Sequence, residues 1–181
     1  MENINVSGSG VYGIFESTHI TGRNFSFISD VDLENGMLVH KGELVDATKE
    51  VYRAIIPTAA TIANEPVFVI GNPAWNYDTS SIVNQNECKY FIPAGKVFRV
   101  YCLNTNDKFG VADYGITGDP VVGEYVGLAP DSARPVASAT RPTGAFVGQV
   151  VQIVDMGYDY FVGVDVNQRT HKVRIEVVRN G

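Results

Sequence analysis

Several groups of residues in this 181-residue chain have types and spacings that could do chemistry. Gly8, Gly10 and Gly13 form a G-x-G-x-x-G run, with Asp30 or Asp32 about where a ribose-binding acid would stand. Dinucleotide binding also needs a strand before the glycines and a helix N-terminus after them to hold the pyrophosphate. Only Ile4 and Val6 could supply that strand, and Ile14 to Arg23 reads as extended, so the run reads as a Gly-rich arm. Asp30, Asp32 and Glu34 alternate like calcium-loop ligands, but Asn35 and Lys41 stand where an EF-hand needs Gly and a bidentate Glu. They read as a solvated turn. His19, His40 and His171 lack metal-ligand spacing. No Ser lies in a G-x-S-x-G elbow, and neither Cys88 nor Cys102 has local catalytic context, so both read as reduced thiols acting as small hydrophobes. Asp113 with Asp119, or Asp155 with Asp159, are carboxylate pairs that read as turn residues. No catalytic residue, metal or cofactor is expected.

The elements that would position these groups are strands. Lys96–Leu103 is rich in β-branched and aromatic residues, Asn104–Asp107 is a turn cluster, and Phe109–Tyr114 resumes a strand pattern, which together predict a central β-hairpin. Asn35-Gly36 predicts a second hairpin turn, with short strands at Met37–His40 and Glu43–Val45. Glu50–Ile56 reads as a strand stopped by Pro57, and Thr58–Asn64 is small and polar. Val67–Ile70 is a continuous apolar run, the pattern of a strand covered on both faces. Val121–Leu128 and Phe146–Met156 are further strands, joined by a Pro-rich, semi-extended connection over Ala129–Thr143. Tyr158 to Val166 alternates, Asn167-Gln168 turns the chain, and Val173, Ile175 and Val177 alternate with Lys172, Arg174 and Glu176. The fold class expected is all-β: a compact antiparallel β-barrel or sandwich, residues 31–181, preceded by an extended N-terminal arm, residues 1–30.

The arm carries Val11, Ile14, Phe15, Phe25 and Phe27 among Gly, Ser, Thr and Asn. Such residues are too scattered to form a core of their own, so they are expected to be buried on a partner. Eighteen Gly and eight Pro suit many turns, and a net charge of −6 argues against a nucleic-acid groove. Met1–Ser7 has no basic region followed by an apolar core, and no apolar run reaches membrane-spanning length. A soluble protein made in a cytoplasm, with no membrane partner, is expected.

Seven segments in order carry a resemblance: Asn35–Val45, Glu50–Pro57, Val67–Pro73, Pro93–Tyr101, Val122–Val126, Gly144–Ile153 and Arg174–Asn180. The series is similar to small capsid decoration (cement) proteins of tailed bacteriophages, over about Asn35 to Gly181. The resemblance implies a β-rich virion protein, made in the host bacterial cytoplasm, that sits on the capsid exterior. Its implied partner is the major capsid protein, bound without catalysis, and it implies a homo-oligomer, trimer or dimer. It carries over no binding residues, because the matching segments are strands and turns. Beside it stand a hydrolase or isomerase on a small barrel and two further readings. One is a tail, baseplate or head-fibre component. The other is a carbohydrate- or host-surface-binding β module, with Trp75, Tyr77 and Tyr90 as stacking candidates.

Overall fold

A computed structural model of the chain describes residues 15–73, 90–158 and 169–181. Among them are eleven strands, one short α-helix and one 3-10 turn, so the fold is all-β. No described helix is long and apolar enough to cross a membrane. The strands are β1 Phe15–His19, β2 Asn24–Ile28, β3 Leu38–Asp46, β4 Val51–Ile55, β5 Phe68–Ile70 and β6 Val97–Cys102. They continue with β7 Lys108–Ala112, β8 Tyr125–Leu128, β9 Pro135–Ser138, β10 Phe146–Tyr158 and β11 Arg169–Asn180. Helix α1, Ala59–Asn64, begins at the N-cap Thr58, whose hydroxyl accepts from Thr61 N while Thr61 Oγ1 accepts from Thr58 N. This capped helix stands where the sequence reads as a plain polar connection, because six residues are too few to show a helical period.

Two regions result. Strands β2-β4-β3-β5-β6 close into a barrel, and β1-β7-β11-β10-β8-β9 form an open six-stranded sheet. Pairing between the barrel strands is antiparallel except for β2 with β4. The barrel wall β3–β5 faces both ways. Leu38, Val67 and Val69 belong to the core beneath the sheet, while Met37, Val39, Phe68 and Ile70 belong to the barrel interior. This is why Val67–Ile70 reads as a continuous apolar run: every side chain meets a core. Val173, Ile175 and Val177 on β11 lie fully buried in the sheet core, as their alternation predicts.

Two side chains bind the regions together. Asp107, almost fully buried, accepts hydrogen bonds from Thr21 N (3.0 Å), Thr21 Oγ1 (2.7 Å) and Asn104 N (2.8 Å). Asn180, at the end of β11, accepts from Val67 N (2.7 Å) and donates to Val67 O (3.0 Å) and Leu103 O (2.8 Å). Each satisfies backbone groups at a crossing between barrel and sheet, where strand pairing cannot.

Three expectations are corrected. The arm assigned to residues 1–30 contains β1 and β2: β1 pairs with β7 at the sheet edge, and β2 closes the barrel between β4 and β6. A domain boundary at 30/31 would cut the barrel open. The central hairpin is also absent, since β6 pairs with β2 and β5 whereas β7 pairs with β1 and β11. Its turn carries the chain from barrel to sheet, with Asn106 in the left-handed region at φ 72°. Finally, the Pro-rich connection holds β9 and the buried Ala133, whose carbonyl accepts from Leu38 N at 2.8 Å. The expected turns and alternating positions between 159 and 168 lie outside the described residues.

Candidate functional site

Strand register builds a polar cluster where β7, β10 and β11 meet. Lys172 on β11 stands opposite Ala112, the last residue of β7, and His171 stands opposite Asp155 on β10. Asp113, following Ala112, opens the 3-10 turn Asp113–Gly115 and accepts from Tyr114 N at 2.8 Å through Oδ1. Three strands thus bring Asp113, His171 and Asp155 into one row. His171 Nδ1 lies 3.0 Å from Asp113 Oδ2, and Nε2 lies 3.0 Å from Asp155 Oδ1. A carboxylate oxygen only accepts, so both contacts are hydrogen bonds at once only when the ring carries both protons.

This row flanks an open cleft of about 660 Å³. Its apolar lining comes from Ile116, Ile153 and Val173, and its polar rim includes Thr117, Asp119 and Arg134. Nucleophilic catalysis through histidine needs one ring nitrogen free to take a proton from a hydroxyl or thiol. Here a carboxylate stands 3.0 Å from each ring nitrogen, so with the ring doubly protonated the row acts as a clamp. It joins the β10–β11 pair to the turn after β7. Partial exposure of all three side chains limits each contact to roughly 0–1 kcal/mol.

The residues expected to bind a partner occupy other places. Val11 and Ile14 lie outside the described residues. Phe15 is half-buried and stacks on Tyr101 with ring centroids 5.9 Å apart, beside Phe109 at 6.4 Å. Phe25 meets Phe68 edge-to-face at 5.5 Å, and Phe27 is fully buried in the barrel interior. These three therefore serve the protein's own core, which corrects the assignment of an exposed binding arm. Strand formation supplies the burial that scattered residues in a coil would lack.

The other chemical candidates also separate. Asp30 Oδ2 accepts from Arg53 Nη1 at 2.5 Å, and Asp32 Oδ1 accepts from Ala94 N at 2.8 Å. Glu34, expected in a solvated turn, is instead 4% exposed, and burial pushes its carboxyl up to about 7 against the opposing charge of Arg134. The three carboxylates do not converge. His40 is fully buried and its Nδ1 lies 3.0 Å from Pro66 O, so that nitrogen carries the proton. Burial pushes its pKa down. His19, His40 and His171 have separate surroundings, and no group of three metal-ligating side chains gathers among the described residues. Cys102 is a free, half-buried thiol whose pKa is raised first by burial and then by Asp107, the opposite of nucleophile activation. Tyr90 receives a hydrogen bond from Asn72 Nδ2 at 2.5 Å, while Cys88, Trp75, Tyr77 and Asp159 lie outside the described residues.

Sequence reasoning misses the row of Asp113, His171 and Asp155 because nothing local signals it. Only the pairing of β7, β11 and β10 makes them neighbours. Comparison of the chain with family models, with curated proteins and with solved structures gives no match.

Proposed function

We propose that the chain is a structural protein of a tailed-bacteriophage virion that decorates and stabilises the capsid by binding the lattice of major capsid protein. The seven segments that carry the resemblance fall on the framework of both regions: β3, β4, β5 and β6 of the barrel, and β8, β10 and β11 of the sheet. The observation that carries the reading is the placement of exposed aliphatic side chains. Leu44 and Val45 project from the barrel end of β3, while Val121, Val122 and Val151 are exposed on the sheet. The turn bearing Val121 and Val122 is held to β10 by Gly123 N donating to Val150 O at 2.8 Å.

A cement protein works by holding neighbouring shell subunits at a fixed separation. It needs two contact faces on one body, and repetition over a symmetric lattice multiplies modest interfaces. Aliphatic groups on both regions, with the shared wall β3–β5 between them, suit that task. The reading assigns the protein to the capsid exterior, as a homo-oligomer and without catalysis. Attachment moves from the N-terminal aromatic residues to these exposed faces.

Co-sedimentation with purified shells, before and after expansion, tests the proposal. The full chain should saturate at least one shell form. Val121→Asp with Val122→Asp, and separately Leu44→Asp with Val45→Asp, should each weaken binding about tenfold or more, the effect of losing roughly 1.4 kcal/mol. An intact chain that binds neither shell form overturns the reading.

A further inference from the structure

Beyond shell attachment, the barrel carries a basic cleft, and we infer that it takes an extended acidic peptide segment of a partner protein through Arg23 and Arg99. The cleft, about 440 Å³, lies on the outer face between β2, β6 and the turn joining β3 to β4. It shares no lining residue with the cleft beside His171. Arg23, Arg99 and Lys49 line it against a single carboxylate, Glu50. The whole chain carries a charge of −6, and with Lys49 paired to Asp46 the two arginines against Glu50 mark a local reversal of sign.

The two guanidiniums are presented by a fixed backbone. Cys102 N donates to Arg23 O at 2.9 Å, and a Cβ on Gly22 would stand 1.8 Å from Cys102 O. Only glycine lets the chain press this closely on the end of β6, which sets where Arg23 leaves the surface. Arg99 stands opposite Ser26 in the β2–β6 register, and its N–H donates to Asn72 Oδ1 at 3.2 Å. Both arginines are exposed, and neither forms an ion pair among the described residues. Lys49 lies 3.6 Å from Asp46 with its side chain largely in solvent. Glu50 adopts the left-handed region at φ 51°, an arrangement that favours glycine.

The chemistry of the lining selects the occupant. Planar guanidiniums match carboxylates in paired hydrogen bonds, and Asn24 and Ser26 add neutral donors and acceptors between them. Val97, 53% exposed at the same cleft, offers an apolar contact beside the charges. A peptide alternating acidic and aliphatic residues fits both features. Single-stranded nucleic acid would need aromatic faces for its bases, but Phe98 and Phe25 pack into the barrel core.

Fluorescence anisotropy with the full chain tests this, using a labelled hexapeptide of alternating Asp and Val at low and physiological salt. Controls are the same peptide with Lys for Asp and a labelled oligothymidylate. The acidic peptide should bind, weaken as salt rises, and outcompete both controls. Arg23→Gln and Arg99→Gln should each lower its affinity about tenfold, as expected on losing one charge-assisted hydrogen-bonding partner. Glu50→Gly should raise affinity severalfold by removing the one carboxylate. Thermal melts of the variants establish that each is folded. No binding of the acidic peptide at low salt, equal binding of the Lys peptide, tighter binding of the oligothymidylate, or folded arginine variants that bind unchanged would overturn the inference. Shell co-sedimentation of the arginine variants separates the two proposals, because shell binding is assigned to other side chains.

Discussion

The barrel interior mixes rings with aliphatic side chains, Phe27, Phe68 and Phe98 lying buried beside Leu33, Val39, Ile70 and Val100 with Phe25 and Tyr52 packed on them, whereas the sheet core is mostly branched aliphatic, led by Val111, Val126, Val150, Val173, Ile175 and Val177. The difference follows from shape. Five strands closing on themselves leave a narrow interior, where rings meeting edge-to-face pack among the aliphatic side chains. An open sheet lying on a second wall needs a broad layer of similar height, which Val and Ile provide. The two regions should therefore differ in tolerance. A barrel that loses one strand loses closure, but a sheet that loses its edge strand keeps the rest of its ladder.

The largest expected effect comes from removing N-terminal strands. A chain truncated to begin at Ser29 lacks β1 and β2, and it should show no cooperative thermal transition by circular dichroism. A chain beginning at Thr21 lacks β1 but keeps β2 and should retain one. A folded Ser29 chain would mean that β2 does not close the barrel.

Core truncations sharpen the comparison at single residues. Phe27→Ala should cost about 3–5 kcal/mol and Ile175→Ala about 2–5 kcal/mol by urea denaturation, the ranges for deleting buried aromatic and aliphatic side chains. Effects below about 1 kcal/mol at either site would mean that its region is not packed as described.

Glu34 gives a pH-dependent difference of opposite sign to a salt-bridged acid. Its carboxyl loses its proton at about 7 in the fold but near the ordinary 4.5 when unfolded. The folded state therefore holds the proton longer. Its stability is full below the unfolded value of 4.5, declines as pH rises towards 7, and stays at the lower level above that. Glu34→Gln should stabilise the protein by about 3 kcal/mol at pH 8 and by little at pH 4, because each tenfold difference in proton affinity between fold and unfolded chain is worth about 1.4 kcal/mol. Equal stabilisation at both pH values would show that ionisation of Glu34 is not the cause.

The smallest effect is expected on the outer face of the sheet. Arg174 donates to Gln152 Oε1 at 2.8 Å and lies 3.6 Å from Glu16, with 31% of its side chain exposed. Arg174→Ala should cost about 0–1 kcal/mol in the same denaturation experiment. A loss comparable with that of Ile175→Ala would place Arg174 in the core instead.

Much of the fold is legible in the sequence where a pattern is local. The alternation at Val173, Ile175 and Val177 identifies the buried face of β11, and the unbroken run Val67–Ile70 identifies a wall buried on both sides. Partner choice is not local. Asn104–Asp107 signals a turn, but nothing in those residues says that β6 and β7 enter different sheets. Phe25 and Phe27 flank Ser26 in strand period, yet the surrounding Gly, Ser and Asn outweigh that signal. Glu34 looks solvated because its neighbours are acidic, and its burial depends on chain that packs over it from elsewhere in the sequence. The row at His171 joins Asp113 and His171 across 58 residues of sequence, so only register reveals it.

Under the proposed function, bridging shell subunits requires force to pass between the two faces, which needs barrel and sheet to behave as one rigid body. Native-state hydrogen exchange, followed by mass spectrometry across a denaturant series, measures this directly. The shared wall β3–β5 and the bonds of Asp107 and Asn180 predict that the most protected amides of β2 and β6 exchange through the same global opening as those of β7 and β11. Their opening free energies and denaturant dependences should coincide. A barrel that opens well below the sheet's free energy, while the sheet stays protected, would contradict the coupling of the two regions.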